Sequence, residues 1–452
     1  MGLRESSIPT GRLGRSIRPA RLAAGAGWRW AAARVTPGSG RQQRKDAAIL
    51  RTAEDVTRTL GEMKGAVMKL GQIMSLMTGM VPDEMTGQLV SLQSSAPPMA
   101  YSLVEQVFRE DYGLAPGRLF ASFERQPFAA ASIGQVHRAR LRSGEAVAVK
   151  VQYPGVAEAM KADLANAGLL LGFAGMLSKG MDARSVVRDL TDGILAELDY
   201  VREARHQQQF GDLYRGHAFI RVPKVYPKLS TGRVLVQELL TGRPFADARL
   251  LPQPERNRIA EMVFRFAFGN FYRHHLFNGD PHPGNYLLLA DGSVGFVDYG
   301  CVAEFPAEVV NSFGGLIDTL MRGDLPAWRE AAEGVGILRP GAPFTTEELY
   351  EHMHWFWAPI LQERIRFTRE LAAEMVRRNA ATTGQGGAIN RHLNIPPGTV
   401  FLTRINFGLS GLLAGLEAEG PWRGIVREYV YDEPPSTELG RLSAATSAGP
   451  SV

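Results

Sequence analysis

Asp280 and Asn285 stand five residues apart within Phe277–Gly300, and Asp298 closes the same stretch as Asp298-Tyr299-Gly300. An aspartate placed to accept a proton or orient a nucleophile, with two further oxygen-bearing side chains nearby, suits a hard divalent cation beside a phosphorylated ligand. Mg²⁺ prefers such donors and keeps phosphate oxygens and water in its shell. Far upstream, Lys150 ends the run Ala146-Val147-Ala148-Val149-Lys150. Of 51 basic residues only 8 are lysines, so a lysine at this place stands out. It can reach phosphate oxygens, and it needs a carboxylate to hold it. The segment Leu195–Arg205 offers Glu197, Asp199 and Glu203. Asp199 and Glu203 share a face at i, i+4, whereas Glu197 and Asp199 would lie about 200° apart on an ideal helix. A regular helix therefore cannot aim both at one partner.

The elements that must position these groups are also legible. Tyr286–Ala290 and Ser293–Val297 are short apolar strands joined by Asp291-Gly292, a strong hairpin turn. Such a hairpin brings Asn285 and Asp298 side by side at its base. The D-x-x-x-x-N spacing and the D-Y-G triplet then match the catalytic and metal loops of kinases, and Lys150 matches the lysine strand. Phe128–His137, the Ser143-Gly144 turn and Ala146–Val151 read as strand, loop, strand, turn, strand. The kinase glycine-rich loop can be laid on Ala129–Val136: Gly134 and Val136 match, while Ala129 and Ala131 replace glycines. Ala130 and Ser132 complete a loop that should be stiffer than a glycine loop. Val234–Leu240 reads as the strand leading into a hinge, where the backbone at Glu238 would meet adenine. His282 is expected to structure the Pro281/Pro283 loop, and Cys301 to be a small packed side chain.

Before this core, Val56, Leu60, Met63, Val67, Leu70, Met74 and Met77 follow a 4-3-4-3-4-3 spacing, one apolar stripe of a helix that Pro82 ends. Lys69 and Gln72 sit on another face. Gly65 and Gly71 cost about 1 kcal/mol each relative to Ala in a helix, which makes sense where a backbone or ligand approaches closely.

Residues 1–50 carry nine Arg and one Lys against Glu5 and Asp46, a net +8 that leaves the rest of the +5 chain at −3. The basicity belongs to this leader, read as an organelle-type presequence, a patch for acidic headgroups or a solvated tail. A nucleic-acid arm is the weakest reading, and nucleic acid is not an expected partner. A single cysteine excludes an intramolecular disulfide, a zinc-finger cluster and an iron–sulfur site. No window reaches the ~18–20 apolar residues of a spanning helix. The expected organisation is a basic leader (1–45), a helical extension (46–125), an N-lobe with a helical insert (126–240), a mostly helical C-lobe (241–435) and a disordered small-residue tail (436–452).

Taken together, Lys69-Leu70-Gly71-Gln72, Ala129-Ala130-Ala131-Ser132, Glu197-Leu198-Asp199, Asp280 with Asn285, and Asp298-Tyr299-Gly300 resemble the UbiB-type atypical kinase-like family, tied to ubiquinone biosynthesis and lipid homeostasis. The likeness covers about residues 46–430. K-x-G-Q together with the alanine loop is highly specific, since ordinary kinases have neither. The resemblance implies an α+β, two-lobed protein-kinase-like fold with an N-terminal helical extension, and ATP and Mg²⁺ as cofactors. It implies that Lys150 contacts ATP phosphates and pairs with Glu203, that Asn285 and Asp298 hold Mg²⁺, and that Asp280 is catalytic. The helix of Lys69 and Gln72 would cover the nucleotide site, tied to Glu197 and Asp199, and obstruct protein substrates. ATP hydrolysis or small-molecule chemistry is then favoured over protein phosphorylation. Membrane lipid or a quinone precursor, a second copy and quinone-biosynthesis proteins are the implied partners. Placement is expected in the cytoplasm or peripherally at the inner face of a membrane. No C-terminal anchor of the kind some members carry is visible, so stable insertion is not expected. Two other readings stay open: a small-molecule phosphotransferase of aminoglycoside or choline kinase type, because Asn278-Gly279-Asp280 also resembles their loop, and a nucleotide-binding pseudokinase scaffold.

Overall fold

The computed structural model describes residues 99–447, apart from 132, 163, 165–182, 380, 382, 395, 397 and 398. The K-x-G-Q segment with Lys69 and Gln72, the basic leader and Ser132 lie outside the described residues. The fold is α+β, and the chain divides into two compact units: one takes in residues up to Leu177 and Leu190–Leu198, the other Ser178–Asp189 and Asp199–Val452. The division after Leu198 differs from the expected N-lobe of 126–240: it groups 199–240 with the helical unit.

In the first unit, α1 (Tyr101–Tyr112) precedes strands β1 (Ser122–Phe123), β2 (Ala129–Ala131), β3 (Gly134–Arg140) and β4 (Ala146–Gln152). β3 runs antiparallel to β1, β2 and β4, with Val136 opposite Lys150. The alternation Ala-Val-Ala-Val-Lys-Val does what a pleat demands. Val147, Val149 and Val151 are fully buried on one face, and Ala148, Lys150 and Gln152 occupy the other. Gly144, at φ +102°, turns β3 into β4, a conformation that only glycine adopts without strain. Phe108, on α1, packs edge-on against Phe120 and Phe123.

Between the units the chain does not run as one helix through Leu195–Arg205. Helix α2 (Ala183–Ala196) stops, and α3 (Tyr200–Leu213) starts afresh with Asp199 as its N-cap. An aspartate at this position satisfies orphan N–H groups of the new helix, which is why a break here is favourable.

The second unit carries a four-stranded sheet in the order β5 (Ile220–Arg221), β10 (Val294–Phe296), β9 (Tyr286–Leu289), β7 (Gly242–Pro244). Strand β6 (Val234–Glu238) runs behind α3, and the pair β8 (Leu276–Asn278) and β11 (Val302–Glu304) flanks the catalytic stretch. Around them lie α4 (Gln253–His274), α5 (Ala307–Arg322), α6 (Leu325–Gly334), α7 (Thr346–Leu361), β12 (Ile365–Arg366), α8 (Arg369–Asn379), α9 (Gly384–Asn390), α10 (Val400–Gly415), β13 (Glu419–Gly420) and α11 (Trp422–Val430). The core is aromatic: Phe266 stacks on Phe296 at 3.7 Å, and Phe210 contacts both Phe266 and Tyr299.

The expected disordered tail is corrected over most of its length, because a helix α12 spans Glu438–Ser447. What composition could not show is its anchor. Arg265, on α4 and 3% exposed, pairs with the equally buried Glu428 of α11 at 2.7 Å and with Glu261 at 2.7 Å. Ser436 donates to Glu428 through both N–H and hydroxyl, and Thr437 bonds Arg265 and Glu261. Leu439 is buried beside them. Among the described residues, no helix is long and apolar enough to cross a membrane.

Candidate active site

The catalytic stretch folds as its spacing requires. β9 and β10 pair antiparallel, with Phe296 opposite Tyr286, and Gly292 makes the turn at φ +78°. At the open end of this hairpin the Val297 N–H donates to the Asn285 carbonyl at 3.0 Å, so Asn285 and Asp298 emerge from neighbouring backbone. Asn285 Nδ2 donates to Asp280 Oδ2 at 3.0 Å and to the Asp280 carbonyl at 3.1 Å. The amide nitrogen is thereby committed to Asp280, which leaves the amide oxygen as the atom that could ligate a cation. Asp298 Oδ1 accepts the Gly300 N–H at 3.0 Å, and Asn278 Nδ2 donates to the Asp298 carbonyl at 2.8 Å. Below the turn, Gly279 N–H donates to the Cys301 carbonyl, and Cys301 is buried as expected.

His282 has the structural role read from the sequence. Its Nδ1 accepts the Gly284 N–H at 3.0 Å, and its backbone bonds Asp280 and Asn285, closing the loop between them. Asp280, Asn285 and Asp298 are thus brought together on one rigid loop and hairpin. Amide and carboxylate oxygens of this kind fit Mg²⁺, which completes its shell with nucleotide phosphates and water. Tyr286 and Tyr299 are buried beneath the loop, and burial holds both phenols well above their usual pKa, helped by Asp280 for Tyr286 and by Tyr214, Tyr286 and then Asp298 for Tyr299. Both stay neutral.

The other expected site residues lie as follows. Lys150 is 6% exposed on β4, and Glu203 is 3% exposed in the first turn of α3. Glu197 is buried, and next to it the Leu198 carbonyl accepts Gln152 Nε2 at 2.9 Å. Asp199 Oδ1 accepts the N–H groups of Val201 and Arg202, so part of that carboxylate is a helix cap. The alanine segment is partly strand: Ala129, Ala130 and Ala131 pair with Val136, Gln135 and Gly134. Gly134 is explained by its neighbour strand, since a Cβ there would meet the Val151 carbonyl oxygen at 2.2 Å. Glu238 N–H donates to the Lys224 carbonyl at 2.7 Å, and its carboxylate accepts the Lys224 N–H at 3.1 Å. The Glu238 N–H is therefore already bonded within the protein.

Sequence reasoning passed over Gln135 and His137. His137 is fully buried, bonded through Nδ1 to the Glu124 carbonyl at 2.8 Å and through Nε2 to Gln135 Nε2 at 2.9 Å. Gln135 Oε1 accepts the Met99 N–H at 2.9 Å. This relay holds the chain entering α1 onto the strand behind the alanine segment. Burial holds the His137 pKa below its usual value, so the ring stays neutral. Polar residues at alternate strand positions were the available signal.

Residues 91–332 match the ABC1 atypical kinase-like domain. The chain belongs to the ABC1 atypical kinase-like family. It is 33% identical over 329 residues to the rat atypical kinase COQ8B, mitochondrial, covering 71% of this chain and 62% of that protein. It is 30% identical over 320 residues to the yeast atypical kinase COQ8, mitochondrial, covering 70% and 64%. The chain thus spans under two thirds of the length of these relatives. Among solved structures, the Rv3197–erythromycin complex from Mycobacterium tuberculosis is similar at TM-score 0.63 and 31% identity, covering 87% of this chain and 100% of the other. The expected family and kinase-like fold are therefore correct.

Proposed function

We propose that this ABC1 family member is a Mg²⁺-dependent ATPase or atypical kinase supporting isoprenoid-quinone or lipid metabolism. The observation that carries the reading is the Asp280–Asn285 hydrogen bond at the base of the hairpin that delivers Asp298. Asn285 and Asp298 would hold Mg²⁺, which neutralises phosphate charge when bound. Asp280, oriented by the Asn285 amide, would receive the proton of the attacking hydroxyl or water. Lys150 would pair with Glu203 and contact ATP phosphates, as the resemblance implies, and the alanine segment with Val136 would line the nucleotide. In such a site catalysis rests on positioning and charge neutralisation rather than covalent chemistry. Lys69 and Gln72, with Glu197 and Asp199, are proposed as the cover, on the resemblance alone.

The test is steady-state ATP hydrolysis with and without anionic-lipid vesicles and phenolic quinone-precursor mimics. Asp298→Asn is expected to lower Mg²⁺-dependent turnover by at least about 10²-fold, as removal of a group that stabilises transition-state charge does. Unchanged turnover in that variant overturns the reading. A small-molecule phosphotransferase is the second reading, favoured by the related structure solved with erythromycin. Transfer of labelled γ-phosphate to a soluble alcohol, with little free phosphate, selects it.

A further inference from the structure

Asn278 closes β8 two residues before Asp280, where the kinase H-R-D loop carries histidine. Its side chain uses both ends of one amide. Oδ1 accepts the Asp280 N–H at 3.3 Å, and Nδ2 donates to the Asp298 carbonyl at 2.8 Å. The amide can stand only this way round, since a flipped amide would set N–H against N–H and carbonyl against carbonyl. The backbone beneath it is fixed separately. Asn278 pairs with Val302 across β8 and β11, and the Gly279 N–H donates to the Cys301 carbonyl at 2.6 Å. This link between the two aspartates therefore belongs to the side chain, and the strand pairing does not depend on it.

Asn285 orients the Asp280 carboxylate, and the Gly300 N–H orients that of Asp298. Asn278 instead reaches the backbone of both residues at once. We infer that Asn278 is a positioning residue that clamps the Asp280 loop to the Asp298 turn, setting the separation of the proton-accepting carboxylate from the metal-binding one. The inference rests on the nucleotide reading above and adds to it the residue that holds its two halves in register. Such a clamp acts on the reacting geometry rather than on nucleotide binding, so its loss lowers kcat and leaves KM for ATP in place.

Three neutral replacements separate the two ends of the amide. Asn278→Leu keeps the volume and offers neither end. Asn278→Ser keeps an oxygen that accepts the Asp280 N–H in the same i, i+2 turn, but is too short to reach the Asp298 carbonyl. Asn278→His offers both: an N–H for the carbonyl, and a ring nitrogen for the Asp280 N–H, as His282 Nδ1 serves the Gly284 N–H at 3.0 Å. The full chain is assayed for Mg²⁺-dependent ATP turnover at about pH 8, where an unperturbed imidazole is neutral. Hydrogen exchange at the Asp280 and Gly300 amides is followed without nucleotide or metal. Asn278→Leu and Asn278→Ser are expected to lose roughly threefold to tenfold in kcat, the range of one net hydrogen bond, with KM for ATP unchanged. Asn278→His recovers most of that loss. Exchange at Gly300 should quicken in Asn278→Leu and Asn278→Ser, at Asp280 in Asn278→Leu alone, and at neither in Asn278→His. Wild-type kcat in Asn278→Ser overturns the clamp, as does an Asn278→His enzyme no better than Asn278→Leu. A raised KM with kcat unchanged overturns it too, since that is lost binding rather than lost positioning. If Asn278→Leu does not fold, Asn278→Ser against Asn278→His decides the question. No Mg²⁺-dependent turnover by the wild type overturns the nucleotide reading itself, and exchange at Gly300 in Asn278→Ser still reports whether the clamp exists.

Discussion

The Tyr299 hydroxyl is fully buried among aromatic rings and has no hydrogen-bond partner. Kinase triplets carry phenylalanine at this place, so the oxygen is an addition that the packing does not use. A buried hydroxyl without a partner costs about 1–3 kcal/mol. Tyr299→Phe is therefore expected to stabilise the protein by about 1 kcal/mol and to raise the calorimetric Tm by about 1–2 °C. A lower Tm would show that the hydroxyl has a partner in solution. At this scale the chemistry-bearing residues were legible because each is a rare type at a fixed offset: a lysine closing an apolar strand, an aspartate and asparagine five apart, an aspartate before Tyr-Gly. Gly134 was legible as a glycine but not for its reason. Its need comes from the Val151 carbonyl across the sheet, a contact that only strand pairing reveals.

Elements were read well where the signal is local and poorly where it is not. The Asp291-Gly292 hairpin and the β3–β4 turn follow from turn chemistry alone. The break between α2 and α3 was hidden, because Leu195–Arg205 has helical propensity throughout and the cap at Asp199 competes only once the chain turns. The tail helix α12 was missed because its anchor, Arg265 with Glu428, joins residues 163 positions apart. Burial pushes the Glu428 carboxyl up, but the Arg265 guanidinium and Ser436 outweigh it and hold its pKa below the usual carboxylate range. A carboxylate depressed on folding adds stability above its unfolded pKa, and that stability is lost as pH falls through the folded value. Glu428→Gln should therefore destabilise at neutral pH by about 1–3 kcal/mol, since Arg265 loses one of its two carboxylate partners and keeps Glu261. The difference from wild type should shrink steadily below about pH 4, where the unfolded carboxyl also protonates. Urea unfolding at a series of pH values reads both effects. A deficit that does not change with pH would remove the ion pair as the cause. Limited proteolysis should at the same time cleave the variant near Ser436–Thr437 first.

At the scale of the whole molecule, charge is divided more sharply than the fold. Residues 1–50 hold a net +8, and the remaining chain, with the catalytic loop, holds −3. Like-charged phosphate headgroups would attract the first segment and repel the second, so any membrane contact by charge is directional. Each basic residue near an anionic leaflet contributes about 1 kcal/mol, falling off within a Debye length. That length shrinks from about 10 Å at 0.1 M salt to about 3 Å at 1 M. Full-length protein should therefore co-sediment with anionic vesicles at low salt, ignore neutral vesicles, and be released by 1 M NaCl. Replacing Arg12, Arg15, Arg18 and Arg21 by Gln takes the segment from +8 to +4 and should weaken binding markedly while leaving ATP turnover without vesicles unchanged. Retention at 1 M NaCl would instead assign the contact to apolar surface elsewhere on the chain. Release by salt with unchanged turnover would make the leader a tether, separate from the Asp280–Asn285–Asp298 site that it brings to the lipid.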